Sequence, residues 1–216
     1  MKKHIINFII TALLFVMFIG FTVAVKTVYV SAVGPDMSQI GFSTLNTKVF
    51  DAVGESEFWF VVTELLGYVA ILVALGFAAL GAYQLFKTKS IKKVDTKILL
   101  LAGFYVAVGL VYVIFEKIEI NYRPVLVDWV LEASYPSTHT MLAVCIFISA
   151  AILFNSLLKK KLRTPVITMC VIAAVVTVLG RLASGMHWFT DIVGGVIVSA
   201  ALVMLYYSFV RLFEKK

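Results

Sequence analysis

The sequence predicts an all-α fold: a polytopic membrane protein whose six transmembrane helices form one bundle, with both termini cytoplasmic. Three observations lead there. First, 62% of the 216 residues are hydrophobic and the mean hydropathy is +1.01, whereas soluble domains are only roughly 45–50% apolar. Second, the apolar residues fall in six long stretches, near 5–25, 58–86, 98–115, 138–158, 165–182 and 191–212. A helix needs about 17–25 residues to cross a ~30 Å hydrocarbon layer, and a strand barrel would instead alternate over ~10-residue segments. Third, the basic residues cluster on one side of the resulting zigzag, which the positive-inside rule makes the cytoplasmic side. No repeat, low-complexity tract or soluble domain interrupts the chain, so residues 1–216 read as a single integral-membrane domain.

The first span follows Met1-Lys2-Lys3. Its apolar region exceeds the ~7–15 residues of a signal peptide, so retention is favoured over cleavage near Ala32. The loop at 31–57 mixes Gly, Ser, Asp and isolated apolar residues, a composition compatible with a short helix along the membrane surface. Its acids Asp36, Asp51, Glu55 and Glu57 lack calcium-loop spacing and read as solvated. Glu64 lies just inside the second span. An ionised carboxylate costs about 2.5–3.5 kcal/mol at mid-membrane, so Glu64 is expected to face the bundle or snorkel outward, and no motif accompanies it.

The formal charge of +7 comes largely from Lys2 and Lys3, from Lys87, Lys89, Lys92, Lys93 and Lys97, from Lys159, Lys160, Lys161 and Arg163, and from Arg211, Lys215 and Lys216. All of these fall on the inner side, so the charge is a topology signal and not a nucleic-acid-binding surface. Only Lys48, Lys117, Arg123 and Arg181 lie clearly outside, with Lys26 near the boundary. Trp59, Trp129 and Trp188 also fall outside, where indole rings suit the headgroup layer. Cys145 and Cys170, in the fourth and fifth spans, have no paired spacing and read as packing thiols.

Nearly all the unusual polar residues occupy three outer segments, EKIEINYRP at 116–124, SYPSTHT at 134–140 and GRLASGMHWFTD at 180–191. They emerge on one face of a six-span bundle, so Arg123, His139, Arg181, His187 and Asp191 can converge there, joined by Lys117 if its stem reaches. Ser137 is a plausible N-cap of the fourth span, leaving free N–H groups at residues 138–140 for an anion. Arg123 and Arg181 offer planar forks suited to phosphate oxygens. His187 and Asp191 are four apart, on one helical face if the last helix starts near Met186. A carboxylate holding one imidazole N–H would free the other nitrogen as nucleophile or base, and His139 could serve a leaving oxygen.

These segments resemble the three signature motifs of the type 2 phosphatidic acid phosphatase superfamily, whose membrane members have six spans. The family patterns are Lys, six residues, Arg-Pro; Pro-Ser-Gly-His; and Ser-Arg, five residues, His, three residues, Asp. The resemblance covers residues 117 to 191 and keeps the last spacing from Arg181 through His187 to Asp191. It departs in three places. Five residues separate Lys117 from Arg123, a shift worth about 100° around a helix, so Glu116 holds the strict lysine position; Thr138 stands for the glycine; and Gly180 stands for the serine.

The resemblance implies that His187 attacks phosphorus to form a phosphohistidine and that Asp191 orients it. His139 would then protonate the leaving group and activate water, while Lys117, Arg123, Ser137, Thr138 and Arg181 hold phosphoryl oxygens, with no metal or other cofactor. The expected enzyme is a phosphatase in the cell membrane with its site facing outward. It would act on a phospholipid or polyprenyl (di)phosphate: undecaprenyl diphosphate first, phosphatidate or phosphatidylglycerophosphate next. The alternatives are a metallohydrolase built on His139, His187 and Asp191, a phosphate-binding or scaffold protein with a degenerate site, and a lipid phosphotransferase.

Overall fold

The computed structural model describes residues 2–213. Met1 and residues 214–216, including the Lys215 and Lys216 counted above on the inner side, lie outside the described residues, as do the side chains of Lys2 and Lys3. The described residues form seven α-helices: α1 (Lys2–Thr27), α2 (Ser43–Val53), α3 (Glu57–Thr88), α4 (Thr96–Lys117), α5 (Thr138–Leu157), α6 (Lys160–Ala183) and α7 (Phe189–Phe213). All but α2 are long and apolar enough to cross a membrane. They are the six spans predicted from hydropathy, and α6 also takes in the basic run Lys160–Arg163 ahead of Pro165.

The helices α5 and α7 form the centre, with 56% and 50% of their spans buried against 11% for α3. Small residues allow this. A Cβ on Gly195 would stand 2.9 Å from the Ser137 carbonyl oxygen, and one on Gly194 would stand 2.5 Å from the Tyr135 ring. The α7 backbone therefore lies directly against the start of α5, the close approach that small residues permit in membrane helices. Tyr135 braces the junction by stacking on Phe18 at 6.4 Å and pairing its hydroxyl with Thr22 Oγ1 at 2.9 Å. The outer helices turn large apolar side chains such as Leu13, Phe58, Leu72, Val106 and Leu179 outward, as a lipid-facing surface requires.

α1 runs antiparallel to α7: Phe8 meets Phe209 at 5.4 Å, and Thr11 meets Ser208 at 3.4 Å. Both described chain ends thus lie at one end of the bundle. The site segments lie at the other. There, the loop after α1 forms a small antiparallel pair, β1 (Ser31–Ala32) with β2 (Gln39–Ile40), before α2. Between α4 and α5, bridges Tyr122–Ala133 and Val127–Val130 make a short ribbon with the fully exposed Trp129 at its tip. Trp188 differs from its expected headgroup position. It is buried, packs on Phe50, and donates its indole N–H to the Tyr122 carbonyl at 2.7 Å.

Candidate active site

The last polar segment is a tight turn followed by α7. Gly185 has φ of +73°, and α7 begins at Phe189, so His187 precedes the helix instead of lying on it. Asp191 stabilises that start. Its Oδ2 accepts from the Trp188 backbone N–H at 3.0 Å, the side-chain half of a capping box, while its own N–H donates to the Trp188 backbone carbonyl.

This changes who holds the histidine. His187 Nδ1 is 3.9 Å from Asp191 Oδ2 but 3.2 Å from the Ser134 carbonyl. A carbonyl only accepts, so Nδ1 carries the proton and Nε2 presents a lone pair. The expected carboxylate-to-imidazole hydrogen bond is therefore replaced by a carbonyl, with Asp191 supporting from one step further. Nε2 is buried without a hydrogen-bond partner among the described residues. Burial first, then the charges of Arg123, Arg181 and His139, hold the His187 imidazolium well below the ordinary range, so the ring is neutral.

Arg181, near the end of α6, is 1% exposed. Its Nη1 donates to Thr63 Oγ1 at 3.2 Å and to Glu64 Oε1 at 3.0 Å, and its guanidinium lies 5.6 Å from the centre of the Phe60 ring. These contacts leave Nε buried and unpartnered among the described residues. The same Glu64 oxygen is 3.0 Å from His139 Nε2. His139 sits in the first turn of α5, capped by Ser137, whose Oγ accepts from Thr140 N at 3.4 Å. Ser137 also donates its backbone N–H to the Asp191 carbonyl, which ties the start of α5 to the start of α7.

Arg123 is mostly buried and spans two partners, Glu132 Oε2 at 3.0 Å through Nε and the Met186 carbonyl at 3.3 Å through Nη1. It therefore reaches the turn that carries His187. Thr138 is the half-buried first residue of α5. Lys117 ends α4, exposed, and joins none of these bonds. Gly180 has a packing reason: a Cβ there would stand 2.7 Å from Thr63 Cγ2 and 2.9 Å from Trp59 Cε3. Among the described residues, no three His, Cys, Asp or Glu side chains gather as a metal-binding group.

Sequence reasoning set Glu64 aside and overlooked a buried polar shell. Asn121 donates to Asp191 Oδ1 at 3.3 Å and accepts from the Gly41 N–H at 3.1 Å. Asn46 of α2 donates to Thr190 Oγ1 at 2.9 Å and accepts from the Thr190 N–H at 3.1 Å. Both asparagines sit in sequence among ordinary loop polar residues. Only the fold reveals that they hold the start of α7.

A family model described as the PAP2 superfamily matches residues 115–215, a stretch that contains all three polar segments. The fold is similar to the crystal structure of a transmembrane PAP2-type phosphatidylglycerolphosphate phosphatase from Bacillus subtilis. The TM-score is 0.64 at 18% identity, covering 95% of this chain and 98% of that one. No curated protein matches the sequence. The six apolar helices and this shared fold make the chain a multi-pass membrane protein.

Proposed function

We propose that this chain, a member of the type 2 phosphatidic acid phosphatase superfamily, hydrolyses the phosphate ester or diphosphate of a long-chain lipid at the outer membrane face through a phosphohistidine. One observation carries the reading. His187 Nε2 and Arg181 Nε are both buried and unpartnered among the described residues, while His187 Nδ1 and Arg181 Nη1 are satisfied by Ser134, Thr63 and Glu64. Leaving a buried polar group unpaired costs about 1–3 kcal/mol, so such a pair in one site suits an arriving group with anionic oxygens around an electrophilic centre. A phosphoryl group has both.

In this reading the neutral Nε2 of His187 attacks phosphorus and the bond from phosphorus to the leaving oxygen breaks. His139 gives that oxygen a proton. A water then attacks the phosphohistidine and passes a proton to His139, and inorganic phosphate leaves. Arg181 and Arg123 offset the charge on the equatorial oxygens, together with the N–H groups of Thr138 and His139 in the first turn of α5. Lys117 would join by extending its flexible stem from the end of α4. The Ser134 carbonyl keeps His187 in the reactive tautomer, and Asp191 fixes the start of α7 beside it.

The lipid class is supported by the surroundings. An apolar cleft of about 280 Å³ between α3 and α4 is lined by Ala74, Phe77, Leu85, Ile98 and Tyr105. It begins ten residues below Glu64 on α3, a depth of about 15 Å, and extends to Ile91 and Val94 at the opposite end of the bundle, so a long prenyl chain suits it best. The test is phosphate release by purified protein from undecaprenyl diphosphate, phosphatidate and phosphatidylglycerophosphate, with a chelator present. Turnover is expected with at least one lipid, and His187→Ala should lower it by roughly 10³-fold or more. Full activity in that variant, or strict dependence on added metal, contradicts the mechanism.

A further inference from the structure

Glu64 belongs to none of the three polar segments, yet a single oxygen of its carboxylate is 3.0 Å from both His139 Nε2 and Arg181 Nη1. Its side chain is 29% exposed and that of His139 34%, against 2% for Arg181. The carboxylate is therefore partly accessible, like His139 and unlike the buried Arg181 guanidinium. The His139 ring is seated on the same helix: a Cβ on Gly67 would stand 3.9 Å from His139 Cδ2. Arg123 Nε is already paired with Glu132, and Lys117 is exposed at the end of α4.

We propose that Glu64 is a specificity-determining residue that disfavours charged leaving groups, so that the site prefers lipid phosphomonoesters to lipid diphosphates. This rests on the phosphatase reading above, in which His139 faces the leaving oxygen. With a monoester, attack by His187 Nε2 breaks the bond between phosphorus and the lipid oxygen, which takes the His139 proton and departs as a neutral alcohol. With a diphosphate, attack on the terminal phosphorus expels a lipid monophosphate. Its bridging oxygen takes the same proton, but its remaining oxygens stay anionic beside the Glu64 carboxylate. Like charges a few ångströms apart in a partly desolvated site repel strongly enough to change relative rates by roughly tenfold or more.

The test compares kcat/KM for farnesyl phosphate and farnesyl diphosphate, which share one tail, in the wild type, Glu64→Gln and Glu64→Asp. The wild type should favour the monophosphate. Glu64→Gln should move the ratio roughly tenfold toward the diphosphate, and Glu64→Asp, which keeps the charge, should retain most of the preference. A ratio measured on one preparation does not depend on the fraction of protein that folded. A wild type that prefers the diphosphate, or a Glu64→Gln ratio within about twofold of wild type, overturns the proposal. If neither lipid releases phosphate, the phosphatase reading is what fails, and calorimetric binding of inorganic pyrophosphate and phosphate decides the charge question. A selective gain for pyrophosphate in Glu64→Gln supports the proposal, and equal changes for both anions overturn it.

Discussion

The two nitrogens of His187 sit in unlike surroundings, and this asymmetry is the chemical centre of the site. Nδ1 is fixed by the Ser134 carbonyl and Nε2 is bare. Because burial and then Arg123, Arg181 and His139 disfavour the imidazolium, the ring should stay neutral below the ordinary imidazole range near pH 6.5. The sign follows directly: the unfolded chain takes up this proton first, so stability from this group is unchanged above about pH 6.5 and falls as pH drops below it. Arg123→Gln removes the largest of the charge contributions, so the His187 pKa should rise and the acid limb of kcat/KM should move to higher pH. Histidine ¹⁵N NMR titration reads this directly, and a wild-type His187 titrating at or above the ordinary value contradicts it. The spacing from His187 to Asp191 was legible in the sequence, but its geometry was not, because the capping of Trp188 by Asp191 starts the helix after the histidine. Glu64 was illegible as a site residue because its partners are more than seventy positions away and only the packing of α3 on α5 and α6 brings them near.

At the scale of elements, hydropathy located the six spans because a lipid surround forces the backbone to satisfy its own hydrogen bonds over a fixed thickness. The ribbon between α4 and α5 and the docking of α2 gave no comparable signal. Their order comes from contacts such as Asn46 with Thr190, between residues of ordinary loop composition. Gly180 shows how an apparent motif departure can be a packing requirement between α3 and α6. Restoring the family serine by Gly180→Ser would drive a Cβ into Thr63 Cγ2 and the Trp59 ring, with an overpacking cost of about 1–3 kcal/mol. Thr63→Ser removes the clashing methyl and keeps the hydroxyl that Arg181 uses. The double variant should therefore be less destabilised than the sum of the singles, measured by thermal unfolding in detergent. Wild-type stability in Gly180→Ser alone would show that the two helices yield more readily than this packing implies.

For the whole molecule, the decisive property is which way the bundle faces. The end opposite the site gathers Lys87, Lys89, Lys92, Lys93 and Lys97 between α3 and α4, Lys159, Lys160, Lys161 and Arg163 between α5 and α6, and Arg211 near the end of α7. The site end carries few cations, and its arginines are tied into the site. Positive-inside bias then predicts an outward-facing site, and Trp129, 92% exposed at the ribbon tip, suits the headgroup layer on that side. Cysteine labelling tests this with little background, because Cys145 and Cys170 are buried. Val130→Cys, exposed beside the ribbon tip, should react with a membrane-impermeant maleimide in intact cells. Lys92→Cys, exposed between α3 and α4, should react only after permeabilisation. The reverse pattern would place His187 and Arg181 on the cytoplasmic face. The substrate would then have to come from the inner leaflet and phosphate would be released inside the cell, so this one measurement determines which lipid pool the enzyme can reach.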